Sequence, residues 1–203
     1  MPFNSNRNRS GEFVDLSSFL SPGDSVTLRG QLIAASLKTT SPNKKMKRVG
    51  GSDVLNLTCT ITSGEHKGKL VCNRVKIGTI LGGTNIATVP SQTQEVREDN
   101  VCKQLETTVA KLRSLGIKVP DTGEADLELS DAIAFVWGIL PKAISSLNAT
   151  RQNVTIKATK DEEGFVGQDG NRYYQVFYWI RTAAGSNSPE VMLEDGNVVG
   201  EII

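Results

Sequence analysis

Hydrophobic and polar side chains alternate along five segments of the chain, and this period of two predicts β-strands. In each segment the apolar residues fall at every second position, so one face of the strand points to a core and the other points to water. The predicted strands are 25–36, 53–62, 69–77, 154–160 and 171–182.

Between the third and fourth predicted strands, apolar residues recur at steps of three and four, which predicts two helical stretches within an insert of about 94–148. The first, over 94–115, is expected to end at Gly116, because glycine readily adopts the left-handed conformation that closes a helix. The second is expected to have Ser130 as its N-cap and to break or kink before Pro141, which lacks a backbone N–H.

The predicted strand at 171–182 is unusual because it carries aromatic side chains on both faces. One face holds Tyr173, Gln175, Phe177, Trp179 and Arg181, and the other holds Tyr174, Val176, Tyr178 and Ile180. We expect the first set to be exposed, because it contains Gln175 and Arg181 and leaves Val176 and Ile180 for the core. Exposed rings beside arginine suit a surface that stacks flat partners. Burial of both faces inside a barrel wall is the alternative.

Three strands, a helical insert and two further strands follow the order of the OB-fold, a five-stranded Greek-key barrel. The sequence therefore predicts a mainly β fold with helices between strands three and four. The OB-fold domain is expected at 24–182, after an N-terminal arm at 1–23 and before a flexible acidic tail at 183–203. Within the arm, a short apolar hook is expected to consist of Phe13, Leu16 and Phe19.

The net charge of +1 conceals an uneven distribution of charge along the chain. The predicted tail has no lysine or arginine and contains the acids Glu190, Glu194, Asp195 and Glu201. The rest of the chain is therefore mildly basic, and several of its cations lie in the connection between the first two strands. A charge run in a loop can serve solubility alone, so its position in the fold decides its meaning.

In an OB-fold the ligand surface combines strands two and three with the loops joining strands one to two and four to five. Cations there can follow phosphates while rings stack on bases. The candidate nucleic-acid-binding residues on these elements and on strand five are Lys38, Lys44, Lys45, Lys47, Arg48, Lys67, Lys69, Arg74, Lys76, Lys157, Phe165, Arg172, Tyr173, Phe177, Trp179 and Arg181.

The three cysteines are too far apart for a zinc knuckle, and an odd number argues against a disulfide framework: Cys59, Cys72 and Cys102. Free thiols favour a reducing compartment. The N-terminal segment has no apolar run of the kind found in signal peptides, and we expect no segment long enough to cross a bilayer. The sequence therefore predicts a cytoplasmic protein with no membrane partner.

No catalytic motif is present in the sequence. The phosphate-binding pattern GxxxxGK[ST] and the dinucleotide pattern GxGxxG are both absent. The only histidine, His66, lies in a glycine-rich turn, and a lone histidine makes metal or Ser-His chemistry hard to build. The acidic run 161–163 is expected to be solvated rather than to bind a metal. We therefore expect no enzyme activity, no metal and no cofactor.

Two parts of the chain resemble the phage-encoded single-stranded DNA-binding proteins of OB-fold type. They are the segments VTLRGQLIAASLKTT, LNLTCTIT and GEHKGKLVCNRVKIG within 26–77, and the closing segment NVTIKATKDEEGFVGQDGNRYYQVFYWI. The acidic end resembles that family's protein-recruiting tails. Two features depart from the family's pattern: the insert is larger than a minimal OB-fold needs, and the chain ends in Ile202 and Ile203 where related tails often end in an aromatic residue.

The resemblance implies a protein that binds single-stranded DNA without sequence preference in the cytoplasm of the host cell. It implies roles in phage DNA replication or recombination, with phage or host replication proteins recruited through the acidic tail. Two alternatives stay open: an OB-like structural or protein-interaction module of a phage particle, and an RNA-binding protein, because stacking alone does not sense the 2′-hydroxyl. The sequence leaves the oligomeric state undetermined.

Overall fold

In a computed structural model that describes residues 11–40, 51–83, 85–87, 91–120, 127–166 and 170–183, the alternating segments form one antiparallel sheet. In chain order the elements are β1 (Ser25–Thr39), β2 (Asp53–Ile61), β3 (Leu70–Lys76), β4 (Thr79–Ile80), β5 (Asn85–Ile86), α1 (Gln94–Ser114), α2 (Leu129–Thr150), β6 (Asn153–Lys160), β7 (Phe165–Val166), β8 (Arg172–Tyr173) and β9 (Val176–Thr182). The main sheet has the order β3–β2–β1–β6–β9, and the short strands form two separate hairpins, β4–β5 and β7–β8. The five segments predicted as strands all contribute to this sheet.

The fold is mixed α/β, with one five-stranded antiparallel sheet and two helices between β5 and β6. This differs from the predicted mainly β barrel in two respects. The insert contributes two long helices, and the described residues form no closed barrel. Strands β3 and β9, at the two ends of the sheet, come into contact without pairing, and α1 packs against both of them.

Side chains of the two helices satisfy backbone groups at sheet edges. On β9, the Lys111 ammonium donates to the carbonyl of Tyr178 and the Ser114 hydroxyl donates to the carbonyl of Ile180, both at 2.8 Å. On β1, the Asn148 side chain accepts from the N–H of Ala35 at 2.8 Å and donates to its carbonyl at 2.9 Å. Unpaired edge groups template aggregation, and these contacts satisfy four such groups within the chain.

Strand β1 changes partners along its length. Residues 25–31 pair with β6, residues 30–39 pair with β2, and the register shifts between Leu32 and Ala34. At the change of partner, a Cβ on Gly30 would lie 2.8 Å from the Cδ1 of Ile156 and 3.0 Å from the carbonyl oxygen of Thr60. A larger residue would force these neighbours apart, because the core is close-packed there.

The aromatic segment 171–182 forms two strands rather than the predicted single one. β6 ends at Lys160, which pairs with Val176, so residues earlier than 176 have no strand of the main sheet beside them. Arg172 and Tyr173 pair with 165–166 instead, and this hairpin replaces the first part of the predicted strand.

The first predicted helix is confirmed, and the second differs at both predicted features. Gly116 (φ 76°) closes α1. Its N–H donates to the carbonyl of Arg113, and the N–H of Ile117 donates to the carbonyl of Leu112. Ser130 is not the N-cap of α2, because the helix begins at Leu129. It also runs without a break through Pro141, since buried residues on both sides of the proline hold it against the core: Val136, Ile139, Leu140, Ala143 and Leu147.

Helix α2 is long and apolar enough, by length and composition, to cross a membrane, with a mean hydropathy of 1.3. The expectation that no segment reaches this length was therefore wrong. The continuous helix has 22 residues, and its apolar face packs against the same core as the sheet. The core helix of a globular domain passes the same test of length and composition.

The described part of the predicted N-terminal arm, 11–23, packs against the sheet. The N–H of Val14 donates to the carbonyl of Leu70 at 2.9 Å, and Val14 and Leu16 are buried. The predicted hook was therefore correct for Leu16 and wrong for Phe13 and Phe19, which are exposed. Phe13 forms a strand-like bridge with Leu70, and alternation then turns its ring outward while Val14 turns inward.

A pair of neighbouring glycines in the β4–β5 turn allows a direct test of one core contact. A Cβ added to Gly82 (φ +80°) would meet no neighbouring atom within 4 Å, whereas a Cβ added to Gly83 (φ +86°) would lie 2.3 Å from Cδ1 of Trp137. We expect Gly82→Ala to lower the free energy of unfolding by about 1 kcal/mol, through the backbone alone. Gly83→Ala should lower it by about 2–4 kcal/mol, because overpacking is added. Urea unfolding of the two variants measures this, and equal losses would contradict a close Gly83–Trp137 contact.

Candidate nucleic-acid interface

The outward side of β9, β6 and β1 brings two rings and three cations onto one surface. Residues directly opposite each other in an antiparallel pair share a face. Trp179 lies opposite Lys157, and Arg181 lies opposite Thr155, which in turn lies opposite Arg29. We call this surface the ring face and define it by Phe177, Trp179, Arg181, Lys157 and Arg29.

The prediction that one side of β9 is exposed, with Phe177, Trp179 and Arg181, and that the other faces the core is confirmed by the exposure of these residues. Phe177 is 57% exposed and Trp179 is 42% exposed, whereas Ile180 is 1% exposed and packs in the core. Arg181 and Lys157 are also exposed. The rings are therefore available to a partner, and their removal leaves the core of the sheet in place.

Arg29 belongs to the ring face although it was not among the predicted site residues. The signal was present, because Val26 and Leu28 alternate with Thr27 and Arg29, which places Arg29 on the outward face. What the sequence does not reveal is that β6 separates β1 from β9, so that Arg29 and Arg181 flank the same Thr155.

The Trp179 ring has a cation over one side. The Nζ atom of Lys111, on α1, lies 5.1 Å from the ring centroid, within the range of a cation–π interaction. Lys111 is only 9% exposed, and burial lowers the pKa of its ammonium to about 8. Sequence analysis missed this residue, because a lysine next to Leu112 looks like an ordinary flank of an amphipathic helix.

The β7–β8 hairpin carries a second pair of rings. Phe165 and Tyr173 lie opposite each other, stack with centroids 5.7 Å apart, and are both exposed. Arg172 is also exposed, but its guanidinium donates to the carbonyl of Glu163 and so holds the turn that precedes the hairpin. Phe165 and Tyr173 are therefore exposed, while Arg172 has a structural contact; that these residues bind nucleic acid stays a prediction.

A separate group of cations lies on the outward side of β1, β2 and β3. Lys38 and Lys76 both lie opposite Val54, and Arg74 lies opposite Asn56. All three cations are exposed. We call these three residues the basic row.

The connection between β1 and β2, predicted from the sequence as a basic loop over 38–52, begins and ends beside the basic row. The N–H of Thr40 donates to the carbonyl of Ser52 at 2.9 Å, which brings the two ends of the loop together next to β1 and β2. Its predicted DNA-binding residues lie outside the described residues: Lys44, Lys45, Lys47 and Arg48.

Lys67 and Lys69, which were also predicted to bind nucleic acid, lie apart from the basic row. They lie at the turn of the β2–β3 hairpin, whereas Lys76 lies at its open end. The ladder between these ends runs from Val54 to Thr60, roughly 20 Å at 3.3 Å per residue. The turn instead follows Thr62, whose N–H donates to the carbonyl of Arg29 at 2.9 Å.

Two chemically reactive side chains among the described residues, Asp53 and Cys59, are buried. Asp53 is buried and accepts from the hydroxyls of Thr39 at 2.6 Å and Thr79 at 3.2 Å, and Trp137 donates to the Thr79 hydroxyl at 3.2 Å. Burial raises the pKa of the Cys59 thiol to about 12. Among the described residues, no group of three or more His, Cys, Asp or Glu side chains is placed to hold a metal ion. The absence of a metal and of enzyme activity stays a prediction.

Comparison of the chain with protein-family models, with curated proteins and with solved structures gave no match.

Proposed function

We propose that this protein binds single-stranded DNA without sequence preference and that the ring face is its principal contact surface. The observation that carries the proposal is the position of Trp179 and Phe177. Both rings are exposed on β9, in the same sheet face as the cations Lys157, Arg181 and Arg29.

Each component of the ring face has a defined task in this proposal. Successive bases stack on the rings of Phe177 and Trp179, which is tolerant of sequence because every base has a flat face. The phosphates of the same strand lie against the cations, and release of their counterions supplies a salt-dependent part of the affinity. The hairpin rings of Phe165 and Tyr173 offer further stacking positions beyond the sheet.

The arrangement of strands supports an OB-type reading of the fold. The OB-fold is a partly open barrel in which the first strand pairs with the second and also with the fourth. Here β1 pairs with β2 and β6, β9 follows β6, and β9 contacts β3 across the opening. The two helices occupy the OB position between the third and fourth strands of the main sheet.

The proposed role is the protection of exposed single strands during phage DNA replication or recombination, without catalysis. Further phosphate contacts are proposed for the basic row and for Lys44, Lys45, Lys47 and Arg48 of the predicted basic loop, four residues that lie outside the described residues. The acidic tail, whose residues 184–203 lie outside the described residues, is proposed to recruit phage or host replication proteins. Its net negative charge allows it to contact the cations in the free protein, where it competes with an incoming DNA strand.

Titration with oligo-dT, oligo-U and a DNA duplex at two salt concentrations tests the proposal. Quenching of tryptophan fluorescence reports contact with the rings, and anisotropy of a labelled strand reports binding. We expect salt-sensitive binding of oligo-dT that exceeds binding of the duplex. Stronger binding of oligo-U would reassign the function to RNA, and no binding of either single strand would overturn the proposal.

A protein-interaction module of a phage particle is the second candidate, and one observation favours it. Five large apolar or aromatic side chains of the closing segment are exposed: Phe165, Val166, Tyr173, Phe177 and Trp179. Exposed apolar surface of this kind also occurs at protein interfaces. Sedimentation across a range of protein concentrations separates the two, because self-association without nucleic-acid binding would favour this candidate.

A further inference from the structure

Lys111 is the one buried lysine or arginine among the described residues, and its ammonium lies between two groups of β9. Nζ donates to the carbonyl of Tyr178 at 2.8 Å and lies 5.1 Å from the ring centroid of Trp179. Within the described part of the chain, no carboxylate pairs with it. A buried cation without a counter-ion costs free energy, and the Tyr178 carbonyl and the Trp179 ring are the contacts that offset this cost.

We propose that Lys111 is a positioning residue for base stacking: its ammonium covers one face of the Trp179 ring and holds the ring so that the opposite face meets the nucleic acid. This inference rests on the proposed function, because it assigns a role in the same site. Lys111 lies on a helix, outside the sheet face, and sets the geometry of the stacking ring.

The geometry explains how one ammonium can fix the ring. The carbonyl of Tyr178 is part of the strand backbone, so the hydrogen bond fixes Nζ relative to β9. The electrostatic attraction between Nζ and the indole then favours one ring orientation. A ring already held in its bound orientation loses less conformational entropy when a base stacks on it.

The charge of Lys111 changes near neutral pH, which gives the inference a measurable signature. Burial lowers its pKa to about 8, so the ammonium is present at pH 7 and largely lost at pH 9. The ionisable groups on the elements packed against α1 are Tyr178 and Arg181 on β9, Cys72, Arg74 and Lys76 on β3, and Asp131 and Lys142 on α2. Burial raises the pKa of Tyr178, so that residue stays neutral over this interval.

The effects of this titration on stability and on binding have opposite signs. The folded-state pKa lies below the unfolded value of 10.5, so the unfolded chain binds more protons between pH 8 and 10.5 and the free energy of unfolding rises with pH. Affinity for single strands should fall over the same interval, because the ring loses its positioning contact. A residue with a structural role alone would not lower affinity while stability rises.

The first measurement needs no nucleic acid. In a Trp137→Phe background Trp179 is the only tryptophan, and its emission should change with a midpoint near pH 8. Lys111→Met should abolish this step, and Lys103→Met, which removes an exposed lysine on the same helix, should leave it unchanged. A pH-independent emission would overturn the inference whether or not the protein binds DNA.

The second measurement is the affinity for oligo-dT at pH 7 and pH 9. At pH 7, Lys111→Met should bind roughly two- to tenfold more weakly than the natural chain, and Lys111→Arg should restore binding because arginine keeps the charge. The natural chain should weaken from pH 7 to 9 more than Lys111→Met does. Equal affinities of the natural chain and Lys111→Met at pH 7 would overturn the inference and leave the proposed function standing, whereas no binding by the natural chain would remove the proposed function itself.

Discussion

Replacing Phe177 and Trp179 together by alanine is expected to weaken binding to oligo-dT by roughly thirty- to ten-thousand-fold. A base stacked on an aromatic side chain contributes about 1–3 kcal/mol, and two rings are removed. Both rings are exposed on the side of β9 away from the core, so the sheet should keep its stability. Fluorescence anisotropy with a labelled strand measures the affinity, and urea unfolding measures the stability.

The chain offers a matched control for the double alanine variant. Phe13 and Phe19 are exposed to a similar degree but lie on the N-terminal segment and not on the ring face. Replacing both of them by alanine removes two exposed rings without touching the ring face, and binding should stay within about twofold of the natural chain. A loss of affinity as large as that of the Phe177 and Trp179 variant would mean that stacking is not localised on β9.

The second large effect concerns the salt dependence of binding. Neutralising the ring-face cations in the triple variant Arg29→Gln, Lys157→Gln and Arg181→Gln should reduce the slope of log affinity against log salt by about 2, because each phosphate contact of a single strand adds about 0.7. At low salt the affinity should fall on the order of a hundredfold. Titrations at several salt concentrations give the slope directly.

The same measurement determines whether the basic row belongs to the strand's path. Neutralising Lys38, Arg74 and Lys76 should also lower the slope if the bound strand reaches β3, and should leave it unchanged if the strand stays on the ring face. The control neutralises three cations on the helices: Arg97, Lys103 and Lys142. A fall in slope for this control equal to that of the ring-face variant would mean that net charge, rather than local phosphate contact, drives binding.

The strands could be predicted from the sequence because their signal is local. Alternation within 53–61 and 153–160 depends only on which side of one strand faces the core, and the inward residues are buried as predicted. The other face of β2 is less exposed than predicted, because Val54 and Thr58 are buried as well. The closing Gly116 of α1 is equally local, since it needs only a position that favours left-handed backbone.

The features that sequence analysis did not place correctly depend on contacts with residues far away in the sequence. The segment 171–182 divides because β6 ends at Lys160, and no pattern within the segment itself records where its partner ends. The candidate residues Lys67 and Lys76 are both near β3 in the sequence, but the length of the β2–β3 hairpin separates them. Lys111 became part of the candidate site only because α1 lies along β9, a contact between helix and sheet that periodicity does not specify.

The division of β1 between two partners has a consequence for synthesis on the ribosome. The β1–β2–β3 part can form as soon as residue 76 emerges, but the first half of β1 pairs with residues 153–159. At a typical elongation rate the intervening residues take on the order of ten seconds to appear. During that interval the first half of β1 has no partner strand, and α1 has no β9 to pack against. Changes in the length of the helical insert would therefore affect the yield of soluble protein before they affected the equilibrium stability of the finished chain.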